Sequence, residues 1–199
     1  MNRERTLRVA AQSLAYPDAE FHDRLPLLRR AVDSLGSTPL RDFLDDADGR
    51  TDVELTTRYV DTFDLRRRTC LYLTYYSHGD TRKRGMALLR FTHAYRKCGF
   101  EIVDGELPDH LAVVCEFAAA EPREGLRLFA EHRAGLELLR MALADAGSAY
   151  LAVVDAVRAV LPEPPPKDME KALALARSGP PAEEVGLEPF GPPAEGARR

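Results

Sequence analysis

Apolar positions recur along most of the chain with the spacing of one face of an α-helix. From Arg5 to Ala15, residues Leu7, Ala10, Ala11 and Leu14 share a side, and Tyr16-Pro17-Asp18 ends the run. Further helices are predicted over Ala19 to Leu35, Thr38 to Asp46 and Asp52 to Phe63. The last of these carries Leu55, Tyr59 and Phe63 at successive i+4 positions, an apolar and aromatic stripe. Leu71 to Tyr76 has the composition of a strand, but no second strand pattern exists to pair with it, so it reads as helix.

Gly79-Asp80 supplies an N-cap for a helix over Thr81 to Cys98. Leu88, Phe91, Tyr95 and Cys98 share its inner face, and Gly99 stops it. The pattern then predicts helices from Pro108 to Pro122 through Leu111, Val114 and Phe117, from Arg123 to Ala146, and from Ser148 to Leu161. The expected fold is all-α, a single compact bundle of about eight or nine helices over residues 1–161. Only five of the 14 prolines precede residue 162, and the rest crowd a tail over 162–199. Its composition predicts disorder, with a short helix at 167–177.

At 199 residues, the length suits one domain. No apolar run approaches the ~20 residues that span a bilayer, and the charged amino terminus lacks the continuous apolar stretch of a secretory signal. The three cysteines, Cys70, Cys98 and Cys115, show no Cys-x-x-Cys pairing. A cytoplasmic protein with free thiols and no stable membrane association is expected.

The net charge of −4 is unevenly spread: Leu65 to Lys97 holds nine basic residues and one acid, a net of +8, and leaves −12 on the rest. With Tyr72, Tyr75, Tyr76, Phe91 and Tyr95 interleaved, this stretch permits a nucleic-acid-binding regulator as an alternative function. The acidic remainder argues against it, because non-specific affinity depends on the field of a whole face. Arg82, Lys83 and Arg84 occupy the first turn of a predicted helix, where the macrodipole disfavours cations, so they are candidate partner contacts.

A metal-dependent enzyme would rest on His78, His93 and His110. The pairs His93/Cys98 and His110/Cys115 are five residues apart, about 140° around a helix, whereas two ligands on one face need i+3 or i+4. No nucleophile elbow, His-Glu-x-x-His or phosphate-binding glycine loop is present. No metal, cofactor or catalytic residue is therefore assigned. Eight of the 15 aromatic residues lie between Tyr59 and Phe100, the pattern of a core or of a groove that receives a peptide helix.

Taken together, Leu14-Ala15-Tyr16-Pro17-Asp18, Tyr59-x-x-x-Phe63-Asp64, Ser77-His78-Gly79-Asp80-Thr81-Arg82-Lys83-Arg84-Gly85-Met86, Gly99 and Glu106-Leu107-Pro108-Asp109-His110-Leu111 resemble a known family. It is that of the nitrate reductase molybdenum-cofactor assembly chaperones, also called the nitrate reductase delta subunit, within the redox-enzyme maturation chaperones. The resemblance spans Leu7 to Leu161. It implies an all-helical cytoplasmic chaperone that is neither an enzyme nor part of the mature reductase. Its partner would be the amino-terminal, twin-arginine-like segment of the catalytic (alpha) subunit. The chaperone would hold that apoprotein for iron-sulfur and molybdenum-cofactor insertion before membrane assembly, with cofactor-delivery proteins as further partners. Carried onto matching positions, the family's peptide groove nominates Tyr59, Phe63, Glu106, Asp109 and His110, with Pro108 one place later than the wider pattern. The chain has no Trp, so Tyr72, Tyr75 and Tyr76 take the place of the groove tryptophans of related chaperones.

Overall fold

A computed structural model describes residues 2–103 and 105–178. The described chain forms α1 (Arg3–Leu14), α2 (Phe21–Leu35), α3 (Thr38–Asp48), α4 (Asp52–Tyr59), α5 (Tyr75–His78) and α6 (Arg82–Lys97). After these come α7 (Leu111–Ala120), α8 (Pro122–Glu131), α9 (Arg133–Asp145), α10 (Leu151–Val160) and α11 (Pro166–Ser178). Among the described residues the only strand-like pairing is an isolated bridge between Tyr72 and His110, so the fold is all-α, as the periodicity predicts.

The centre is built on α1 and α7, which lie against each other. The α7 sequence Leu-Ala-Val-Val-Cys-Glu-Phe-Ala-Ala-Ala is apolar nearly all round, as a helix surrounded by others must be. On α1, Leu7, Ala10 and Leu14 are fully buried, and Asn2 caps the helix by accepting the Arg5 N–H at 3.1 Å. Where α8 crosses α7, Gly125 is required by close approach: a Cβ there would stand 2.3 Å from the Ala118 Cα.

Three expectations are corrected. Leu71 to Thr74 is not helical: Tyr72 pairs in an extended segment, Leu73 and Thr74 form a turn, and helix begins only at Tyr75. The partner of Tyr72 is not a second strand but one residue of a later turn. Leu73 N–H donates to Asp109 C=O at 3.1 Å and Leu111 N–H to Leu71 C=O at 2.8 Å, on either side of the Tyr72–His110 pair. Arg123 to Ala146 is two helices that meet at His132, since α8 packs on α7 while α9 packs on α10 and α11. One straight helix of that length, ~36 Å, could not face both. The stripe through Phe63 leaves regular geometry at Val60, where a π-turn (Val60–Asp64) follows α4.

The start of α7 also shifts: Pro108 to His110 form a turn, and His110 is the N-cap of α7. At the other end, α11 lies on α9 with Ala172 fully buried. The tail expected to be disordered lies, from residue 179 onward, outside the described residues.

Candidate functional site

A cleft of about 240 Å³ opens where the α4 end, the extended segment and the turn before α7 meet. It is lined by Tyr16, Tyr59, Phe63, Asp64, Leu71, Tyr72, Glu106 and His110. Five of these, Tyr59, Phe63, Tyr72, Glu106 and His110, are groove residues nominated from the sequence. They come from positions up to 51 apart and meet because the Tyr72–His110 bridge ties the two segments together.

The apolar wall is a set of interlocked rings. Tyr16 packs edge-on to Tyr59 at 5.3 Å between centroids, Tyr59 on Phe63 at 4.9 Å, and Phe63 on Tyr150 at 4.6 Å. Tyr59 is buried, and its hydroxyl donates to the Leu14 carbonyl at 3.2 Å, which fixes the α4 end to the α1 end. Tyr16 is 53% exposed and forms the rim.

The rest of the lining is polar and acidic. Tyr72 OH donates to Glu106 Oε1 at 3.2 Å, and that oxygen also accepts the Leu107 N–H at 2.8 Å. Burial and the adjacent Glu106 push the Tyr72 phenol up to about 12, so it remains a donor at neutral pH. Asp64 is exposed, and among the described residues its side chain has no hydrogen-bond or ion-pair partner. His110 lies edge-on to Tyr72 at 5.4 Å, with its Nδ1 buried and unpaired. Burial lowers the His110 pKa against the opposing pull of Glu106, Asp109 and Asp64, so the imidazole is neutral at pH 7.

That shift has a consequence for stability. With a folded pKa below the ordinary 6.5, the unfolded chain takes up the proton first. Stability is therefore full above 6.5 and falls as the pH drops toward the folded value. Between about pH 7.5 and about pH 5.5 the urea midpoint of the wild type should fall more steeply than that of His110→Gln. Parallel slopes would show that His110 titrates alike in both states.

Four nominated residues, Asp109, Tyr76, Pro108 and Tyr75, lie beneath or behind the cleft. Asp109 is fully buried, and its Oδ2 accepts from Thr74 N–H at 3.0 Å and Thr74 Oγ1 at 2.6 Å. Tyr76 is buried with its hydroxyl within reach of the Arg68 and Cys70 carbonyls, at 3.0 and 2.9 Å. Pro108 is buried, and its carbonyl accepts the Tyr95 hydroxyl at 2.5 Å. Asp109, Tyr76 and Pro108 hold the frame rather than face a ligand. Tyr75 is half-buried behind them.

The basic stretch does not form one surface. Arg84 turns inward: its guanidinium lies over the rings of Tyr72 at 5.4 Å and Tyr75 at 5.9 Å, with Nη2 4.0 Å from Asp109 Oδ2. Phe91 and Tyr95 are buried. The stretch therefore presents no row of open rings on which bases could stack, and the nucleic-acid reading loses its aromatic half. Lys83, Arg90, Met86 and Leu89 instead share the solvent face of α6 with Arg82. Among the described residues no three His, Cys, Asp or Glu side chains converge as metal ligands, and no helix is long and apolar enough to cross a membrane.

Three cleft residues were not among the nominated set: Tyr16, Asp64 and Leu71, the last a buried neighbour of Tyr72. Tyr16 sits beside Pro17 at the α1 end, and its position within the resembling segment was the available signal. Asp64 directly follows Phe63, but regular helix geometry turns it away from Tyr59, and only the π-turn brings it round.

The backbone fold is shared with a solved protein described as a redox enzyme maturation protein. A crystal structure of an Archaeoglobus fulgidus protein so described superposes with a TM-score of 0.63 at 21% identity, covering 80% of this chain and 93% of that one. Residues 28–155 match the family described as nitrate reductase delta subunit, and the chain belongs to that family. The nitrate reductase-like protein NarX of Mycobacterium tuberculosis is 41% identical over 157 residues, 74% of this chain. This chain spans only 23% of that relative's length. NarJ of Bacillus subtilis is 30% identical over 165 residues, 80% of this chain and 90% of its own. NarJ of Escherichia coli is 30% identical over 159 residues, 75% of this chain and 66% of its own. Both NarJ proteins are described as nitrate reductase molybdenum cofactor assembly chaperones.

Proposed function

We propose that the chain is a cytoplasmic assembly chaperone, not an enzyme, for the catalytic subunit of a respiratory nitrate reductase. Its aromatic and acidic cleft takes the amino-terminal segment of that subunit before iron-sulfur and molybdenum-cofactor insertion and membrane assembly. The observation that carries this reading is the convergence of Tyr59, Phe63, Tyr72, Glu106 and His110 on one cleft, in a chain whose NarJ relatives are assembly chaperones. The cleft's size supports a peptide occupant. At about 240 Å³ it falls below the ~300 Å³ from which small-molecule and cofactor sites start, and it suits one or two side chains. An apolar anchor of the client would lie against Tyr59 and Phe63, with a neighbouring cation facing Asp64 and Glu106. Asp64 and Glu106, not the buried Asp109, are the carboxyls that reach the cleft.

Calorimetric titration with a synthetic peptide from the client's amino terminus tests the site. Asp64→Asn should weaken binding about tenfold, the worth of one charge-assisted contact. Glu106→Gln should weaken it less, because Tyr72 and the Leu107 N–H already occupy one of its oxygens. Unchanged affinity in the double variant would remove the cleft from the binding site. The solvent face of α6 serves a second contact, with an acidic surface of the client or of a cofactor-delivery protein. Charge reversal at Lys83 and Arg90 should weaken capture of the full apo-subunit in a salt-dependent way while peptide affinity holds.

A further inference from the structure

The cleft depends on a departure from helical geometry. In an uninterrupted α-helix Asp64 would stand about 140° around the axis from Tyr59 and could not share a wall with it. Both line the cleft. The π-turn over Val60–Asp64 makes this possible: Leu65 N–H donates to Val60 C=O at 3.1 Å, five residues back, which spreads one turn over extra residues. Tyr59, Phe63 and Asp64 thereby come to one side.

A wide turn at a helix end leaves carbonyls without a following helical N–H. The carbonyl of Thr62, inside this turn, is taken by the hydroxyl of Thr69, a side chain only 2% exposed. That hydroxyl has one proton and two carbonyls in reach, Thr62 and Arg66, the latter at 3.1 Å. Of the two, the Thr62 carbonyl is the nearer and takes the hydroxyl proton, while the Arg66 carbonyl accepts the Thr69 N–H at 3.0 Å. The short 3₁₀ turn that presents Thr69 (Arg67–Thr69) is anchored in turn by Tyr76, whose hydroxyl reaches the Arg68 and Cys70 carbonyls.

We propose that Thr69 is a positioning residue for the cleft: its hydroxyl locks the π-turn and so aims Asp64 at the cation of a bound basic peptide. The inference deepens the chaperone reading and rests on it for its ligand, but the lock itself is a property of the fold. Thr69 touches no ligand; it acts through Asp64.

The test uses Thr69→Val, which keeps the shape and removes the donor, and Thr69→Ser, which restores the donor. Amide exchange at Leu65 should quicken about tenfold or more in Thr69→Val and stay near wild type in Thr69→Ser. In peptide titrations Asp64→Asn should cost about tenfold in the wild-type background and almost nothing in Thr69→Val, a coupling that a merely structural residue would not show. Unchanged Leu65 exchange, or a full Asp64→Asn effect in the Thr69→Val background, overturns the proposal. Should Thr69→Val not fold, Thr69→Cys, with a similar volume and a weak donor, replaces it. If the wild type binds no basic peptide, the functional reading of the cleft fails, and Leu65 exchange alone then decides the lock.

Discussion

Asp109→Ala is expected to cost about 3–5 kcal/mol of folding stability, the loss that follows when one partner of a buried charged network is removed. Its carboxylate is fully buried and is the acceptor for both the Thr74 N–H and the Thr74 hydroxyl. The Arg84 guanidinium, with its side chain 17% exposed, stands 4.0 Å away and donates through Nε to Thr74 Oγ1 at 3.3 Å. Removing the carboxylate strands a buried N–H and a hydroxyl at once and leaves the Arg84 guanidinium only the exposed Asp80, at 3.5 Å, as an acidic partner. Asp109→Ala combined with Arg84→Met should recover part of the loss, because the second change removes a largely buried charge left with Asp80 as its one carboxylate partner. Urea denaturation of the two single variants and the double decides the matter, and an Asp109→Ala midpoint within about 1 kcal/mol of wild type would refute the role.

The same variant separates frame from contact. Asp109 fastens the extended segment to the turn before α7, and the Tyr72–His110 pair lies between the two backbone bonds that flank it. Peptide affinity in Asp109→Ala should fall because the acidic wall loosens. That loss should be largely insensitive to salt, unlike the loss in Asp64→Asn, since no surface charge has been removed.

Most helices were legible because they are amphipathic and their period is written directly into Leu7, Ala10 and Leu14, or Phe91 and Tyr95. What was missed has no periodic signature. Leu71 to Leu73 alternates buried Leu71 and Leu73 with half-exposed Tyr72, but the partner of Tyr72 is a single residue 38 positions away. The bend at His132 contains neither Pro nor a breaking Gly, and it arises because the faces of α8 and α9 bury against different helices. In the site, residue type was a good guide to chemistry and a poor one to depth. Tyr72 and Tyr76 look alike in the sequence, yet one lines the cleft and the other fastens a turn beneath it. Arg84 reads as a surface cation beside Arg82 and Lys83, and only the fold shows that Tyr72, Tyr75 and Asp109 enclose it.

Glu137→Ala should be comparably destabilising, by about 3–5 kcal/mol, for a reason remote from the cleft. Glu137 sits on α9 with its side chain 4% exposed and accepts from Arg133 Nε at 2.8 Å and Arg158 Nε at 3.0 Å. Arg133 is equally enclosed, with its side chain 5% exposed, and its Nη1 also donates to the Pro162 carbonyl at 3.2 Å, beyond the α10 end. Loss of the glutamate leaves two guanidinium groups facing each other, one without access to water. For a chain of this length the change corresponds to a fall in Tm of roughly 6–20 °C. Replacing all three residues by Met or Leu should return most of the stability, since well-packed apolar groups often equal or exceed a buried ion triad. The cleft provides the control. The α9 backbone approaches the extended segment so closely that a Cβ on Gly135 would stand 2.9 Å from the Leu73 carbonyl. Peptide affinity in the apolar triple variant therefore reports whether α9 still seats that segment. Wild-type affinity with restored Tm would mean that the triad stabilises the bundle alone, whereas restored Tm with lost affinity would mean that its charges also set the register of α9 beneath the cleft.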